Sequence, residues 1–199
     1  MGLILGKITV ETPKYEAIAV TDDYEIRKYP PSVIAEVTYS AADFKSGKDG
    51  GFTILASYIG AIGEPKNAKP EKIAMTAPVI TKTASEKIAM TAPVVTKNEG
   101  GGEMVTMAFI LPSKYAKAED APKPVDERVV IREEGEKKYG VTRFSGVARD
   151  DVVAEKVEKL SKCLERDGYK IAGDFLLARY NPPWTLPPLR TNDVMIPVE

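Results

Sequence analysis

Histidine is absent from all 199 positions, so the side chains that could do chemistry are carboxylates, amines, phenols, thioethers and one thiol. That absence removes Ser-His-Asp and Cys-His catalysis, His-rich zinc sites and any histidine-ligated metal centre. Cys163 is the single cysteine and cannot form an internal disulfide, which agrees with a reducing compartment. It lies one residue from Leu164 on a predicted helix, where packing is a simpler role for a thiol than reactivity. No pair of carboxylates stands at a spacing that signals general acid–base work.

The most conspicuous pattern is a repeated phrase. EKIAMTAPV occupies 71–79 and returns unchanged at 86–94, with no third copy. A Thr hydroxyl, a thioether and small apolar groups offer neither a general base nor a strong nucleophile, so the phrase reads as structural. Its period is 2: Ile73, Met75, Ala77 and Val79 share one face, and Ile88, Met90, Ala92 and Val94 share one face in the second copy. Two strands are expected, with Ile80–Ser85 between them able to close a hairpin if the strands run on into those six residues. Met75 and Met90 then face apolar space, as core filler or as part of a ligand groove. Pro78 and Pro93 lack a donor N–H and belong at a strand end, edge or bulge.

The elements that must position these residues follow from the remaining patterns. Asp23–Tyr39 alternates around Pro30-Pro31 and reads as two strands or one bent strand. Phe44, Lys48, Phe52, Leu55 and Ile59 follow a helical face, but Gly47, Gly50 and Gly51 weaken its first half, so the predicted helix is Phe52–Ala61. Met104–Tyr115 reads as a strand ended by Pro112, and Val129–Gly146 as two strands around a Glu-Gly turn. The best-specified helix starts at Asp150 or Asp151 as N-cap, carries Val153, Val157, Leu160 and Leu164 on one face, and stops at Gly168. A strand, a Pro-rich loop from Asn181 to Arg190 with the single Trp, and a last strand close the chain. The order is strands, helix, strands, twice over: an α+β fold of two similar halves.

Composition bounds the function. A hydrophobic content of 43% supports a real core in a single domain over 1–199, with 1–20 as an N-terminal extension. Lys plus Arg number 28 against 29 Asp plus Glu, so no global field recruits nucleic acid or an anionic membrane. The N-terminus lacks the basic n-region and long h-region of a signal peptide, and Gly6 stands where myristoylation needs Ser or Thr. No apolar run approaches the roughly 20 residues of a membrane span. The expected location is cytoplasmic.

Four phrases in order carry a resemblance: a GF..L..YI helix, KIAMTAPV, FILPSKY, and RYNPPWTLPPLRTNDVMI. Together they resemble the SOUL family of heme-binding proteins, and the doubled KIAMTAPV is similar to its plant and bacterial branch. The resemblance spans Tyr24 to the C-terminus. It implies a distorted antiparallel β-barrel flanked by two helices, with a shallow hydrophobic groove beside the first helix that accepts heme or protoporphyrin. It also implies kinship of fold with small-molecule-binding domains of bacterial transcription regulators.

Carried over residue by residue, the resemblance places Phe52, Leu55, Ala56 and Ile59 on the porphyrin side of the helix and Tyr180 and Trp184 in the segment opposite. A porphyrin is a flat apolar disc bearing two carboxylates, so it needs apolar walls and cations at the rim. Where animal members are thought to use an Arg and two Lys, this chain has Asp49, Ser57 and Thr185; Lys48 and Arg190 are the nominated substitutes. The axial histidine suggested for some members has no counterpart, and Cys163 is not followed by proline. Binding is therefore expected through hydrophobic contact and propionate pairing, with Tyr58, Tyr180 or Cys163 as opportunistic iron ligands.

Three function classes follow. The first is a non-enzymatic tetrapyrrole carrier or buffer. The second is an enzyme acting on a tetrapyrrole or another small apolar molecule, which turnover would distinguish from carriage. The third is a protein-interaction module using the helix Asp151–Asp167, whose outer face (Glu155, Lys156, Glu158, Lys159, Lys162) reads most simply as a solvated surface.

Overall fold

The computed structural model describes residues 7–40, 50–84, 104–182 and 184–199. Within them lie β1 (Glu16–Val20), β2 (Glu25–Tyr29), β3 (Ser32–Ser40), α1 (Gly50–Ile59), β4 (Val79–Ala84), β5 (Met104–Ile110), β6 (Val130–Glu134), β7 (Lys137–Ser145), α2 (Asp150–Arg166), β8 (Leu176–Arg179) and β9 (Thr191–Pro197). One antiparallel sheet runs in the order β1-β2-β7-β9-β8-β4-β5-β3-β6 and curls into a half-barrel. The two halves are the same unit used twice: β3-α1-β4-β5 and β7-α2-β8-β9. Their strands are ordered β4-β5-β3 and β8-β9-β7, and they meet where β4 pairs with β8. The α+β barrel with two flanking helices is thus the observed architecture.

Strand alternation sorts each strand into a helix-covered face and a concave face. Under α1, Val33, Ala35 and Val37 of β3 and Met107 and Phe109 of β5 pack with Leu55, Ala56 and Ile59. Under α2, Ile26, Leu177, Val194 and Ile196 pack with Val153, Leu160 and Leu164. Full burial of a Leu or Ile contributes about 1.5–3 kcal/mol, so these rows hold the helices on the sheet. In each half a glycine also permits a close approach between the helix and the sheet. A Cβ on Gly51 of α1 would meet the Tyr39 ring at 2.5 Å, and a Cβ on Gly140 of β7 would meet Leu164 at 2.6 Å.

The predicted helices form with small shifts in their ends. α1 begins at Gly50, and the Phe44–Lys48 part of its expected face lies outside the described residues. Arg149, not an aspartate, is the N-cap residue of α2, and Asp150 and Asp151 fill the first turn, where carboxylates meet the positive end of the helix dipole. Gly168 follows with a φ of +83°, the left-handed conformation that stops a helix cheaply with glycine. At that end Tyr24 donates to Asp167 at 2.7 Å, tying α2 to the entry of β2.

Three expectations need correction. Ile80–Ala84 is not a hairpin turn but the body of β4, which pairs with β5 and β8. The preceding stretch is no regular strand: Ile73 N–H donates to the Ile59 carbonyl, Ala77 N–H to the Glu11 carbonyl, and Met75 is 37% exposed. Met75 therefore fills no core, while Ile73, Ala77 and Val79 of its predicted face turn inward. Among residues 1–20, Glu16–Val20 forms β1 and pairs with β2. Pro78 stands immediately before β4, as its missing donor requires. The second copy of the repeat, with Met90 and Pro93, lies outside the described residues.

Candidate functional site

The concave face is built from the residues that alternation turns away from the helices. In the first half, Ile34 pairs with Ile110, Glu36 and Ile80 both flank Ala108, and Lys82 pairs with Thr106. In the second, Arg27 pairs with Tyr139, Val141 and Leu176 both flank Met195, and Arg143 pairs with Asp193. Because the sheet curls, these rows face one another across a cavity of about 1170 Å³. Ile34, Ile80, Ala108, Tyr139, Leu176 and Met195 supply its apolar wall. Tyr139, Val141, Ala178 and Met195 close into a small core of their own on this face.

A polar cluster is set into that wall. Asp193 is 0% exposed and accepts hydrogen bonds from Arg27 Nη1 at 2.8 Å, from Arg143 Nε at 2.8 Å and Nη2 at 2.9 Å, and from the Tyr180 hydroxyl at 2.9 Å. Burial pushes its carboxyl up, but the hydrogen bonds and charges of the two arginines outweigh burial and hold it below the usual range. Arg27 also bonds Glu25 at 2.6 Å. Burial pushes the Tyr180 phenol well up and the Tyr139 phenol up to about 12, so both are neutral donors. Tyr29 also lines the cavity; burial pushes its phenol up, and the neighbouring Arg27 guanidinium opposes that shift. Across the cavity, Arg132 binds Glu36 at 2.8 and 3.0 Å and also contacts Glu134.

The predicted site residues fall on two faces. Tyr180 lines the concave cavity. Leu55, Ala56 and Ile59 sit together on α1 but are 0%, 0% and 2% exposed, packed against the opposite face of the sheet. Phe52 is half-buried on the same helix, its ring 5.6 Å from Phe109. Trp184 stands 64% exposed in the Pro-rich loop, and Arg190 Nε donates to the Thr185 carbonyl at 2.8 Å within that loop. Lys48 lies outside the described residues. Tyr58 donates to the Pro122 carbonyl at 2.7 Å, and Cys163 is buried on the inner face of α2. Sequence reasoning missed Arg27, Arg143 and Asp193, and no local signal marks them: EIRKY and KKYGVTRFS carry other charges, and the two arginines stand 166 and 50 residues from Asp193.

The sequence profile of the SOUL heme-binding protein family matches residues 10–86 and 82–197. The chain belongs to that family. Human Heme-binding protein 2 is 29% identical over 184 residues, covering 87% of this chain and 80% of the human protein. Among solved structures, an uncharacterized conserved protein from Listeria innocua superposes with a TM-score of 0.59 at 14% identity, covering 91% of this chain and 94% of that one. The EcmrR C-terminal domain gives 0.56 at 10% identity, covering 93% and 98%. These two likenesses show a shared fold. The SOUL match ends at residue 197 and takes in both halves, the Tyr180–Arg190 loop and every strand of the concave face. Among the described residues no helix is long and apolar enough to cross a membrane.

Proposed function

We propose that this SOUL-family chain binds heme and other tetrapyrroles non-covalently, as a carrier or buffer, with the ring held in the cavity of the concave face. The observation that carries this reading is the cavity itself. At about 1170 Å³ it is at the large end for a small-molecule site, and apolar side chains from both halves line it, with charged residues among them. Family membership and the name of the human relative supply the ligand class. Iron, when present, brings Lewis acidity at the ring centre. The chain's own residues provide flat apolar contact, exclusion of water and neutral phenol donors. With no histidine in the chain, the affinity rests on those contacts.

Binding is a better reading than catalysis for this wall. Of the strand carboxylates, Glu36 and Glu134 line the cavity and both are ion-paired with Arg132, while Asp193, behind the wall, is ion-paired with Arg27 and Arg143. A carboxylate whose oxygens are committed to an arginine fork is poorly placed to exchange a proton with a substrate. A second placement follows the family resemblance: beside α1 and the loop, where Trp184 and Leu186 expose apolar surface. One titration separates the two placements. Thr106 is a half-buried strand residue on the cavity wall, so Thr106→Trp fills the cavity with a side chain that strands tolerate. It should weaken protoporphyrin binding by at least tenfold, about 1.4 kcal/mol, while Trp184→Ala should change it by less than threefold. The opposite ranking moves the ring to the loop, and no binding to the wild type removes the tetrapyrrole reading.

A further inference from the structure

We infer that Lys82 reads the carboxylate edge of the ligand, so that the cavity selects flat apolar molecules carrying free acid chains over their esters; this rests on the tetrapyrrole reading above. Lys14, Lys82 and Lys138 line the cavity without an ion-pair partner among the described residues. Lys138 alternates with Tyr139 and so belongs to the other face of β7, and Lys14 precedes β1 at the mouth. Lys82 alone of the three is placed by strand register on the concave face. It lies two residues from Ile80, beside Thr106 and one strand from Thr38.

The groups around Lys82 are already committed elsewhere. Glu36, on the same face of β3, is held by both nitrogens of the Arg132 fork. The hydroxyls of Thr38 and Thr106 bond each other at 2.8 Å. An ammonium with no carboxylate partner among the described residues, on the rim of the cavity, is an available anion contact. Two residues along a strand span roughly 7 Å, so an apolar body resting on Ile80 and Ala108 would need its acid on a short flexible chain to reach Nζ. A propionate-bearing ring edge has that form.

The test uses metal-free protoporphyrin and its dimethyl ester, titrated into the full chain carrying Lys82→Glu, Lys82→Gln or Lys82→Arg. Lys82→Glu is expected to weaken the diacid tenfold or more and the diester less than threefold, with Lys82→Arg retaining the diacid. Raising salt should weaken diacid binding to the wild type and have little effect on Lys82→Gln, because a rim ion pair is screened. Equal losses for both ligands would make Lys82 merely part of the wall, and an unchanged diacid affinity in Lys82→Gln would overturn the assignment. A wild type that binds the diester but gains nothing from free acids also overturns it, while leaving the tetrapyrrole reading intact. Failure of both ligands on the wild type sinks that underlying reading instead.

Discussion

At Asp193 a single carboxylate joins β2, β7 and the end of β8, since Arg27, Arg143 and Tyr180 all donate to it. Asp193→Asn removes the charge but keeps the shape, leaving two guanidinium groups facing a neutral amide. Breaking a buried pair from one side costs about 3–5 kcal/mol, so a large fall in Tm is expected. The pH dependence has a definite sign. The folded pKa lies below the ordinary 3.8, so this stabilisation is fully present above about pH 4 and drains away as pH falls through the folded value. Urea midpoints measured from pH 6 downward should therefore decline more steeply for the wild type than for Asp193→Asn. Parallel acid limbs would mean that Asp193 is not coupled to folding. Nothing local in TNDVMIP marks Asp193 as buried, because its partner Arg27 is 166 residues away.

At the scale of elements, α2 depends on a strand residue with no side chain. Leu164 is fully buried over Gly140, and a methyl there would sit 2.6–2.7 Å from both of its terminal carbons. Gly140→Ala should cost about 1–3 kcal/mol by overpacking. Calorimetry on a double-mutant cycle checks the cause: Gly140→Ala with Leu164→Val should lose less than the sum of the two single changes. Additive losses would place the strain elsewhere. Both helices and most strands were legible, because 3.6- and 2-residue periods survive in segments such as VAEKVEKLSKCLER and MVTMAFI. The region after α1 was not. Alternation in KIAMTAPV suggested a strand, but its N–H groups bond the Ile59 and Glu11 carbonyls, and the regular pairing starts only after Pro78.

For the whole molecule, the two helices cover one face of the half-barrel, and the other bounds the cavity proposed as the ligand site. A site built from apolar walls on opposite halves, without an imidazole, should be nearly indifferent to the metal. Metal-free protoporphyrin should bind within about tenfold of heme, a difference of about 1.4 kcal/mol. Parallel fluorescence and absorption titrations of the two ligands check this. A strongly low-spin heme spectrum together with much weaker metal-free binding would point to an iron ligand among the phenols or thioethers instead.

By itself the sequence determined the fold class, the duplicated strand–helix–strand plan and the absence of imidazole chemistry. All three are written in local periodicity or in composition. Strand alternation also predicted that each strand has two faces, but it could not say which one would be covered. Packing decided that: Phe52, Leu55, Ala56 and Ile59 are apolar whether they line a groove or rest on a sheet, and the order β1-β2-β7-β9-β8-β4-β5-β3-β6 puts β3 and β5 beneath them. The cavity, the Arg27–Asp193–Arg143 cluster and the placement of Lys82 exist only once distant strands curl toward each other. Their partners are set by pairing across the sheet, and no spacing along the chain encodes it.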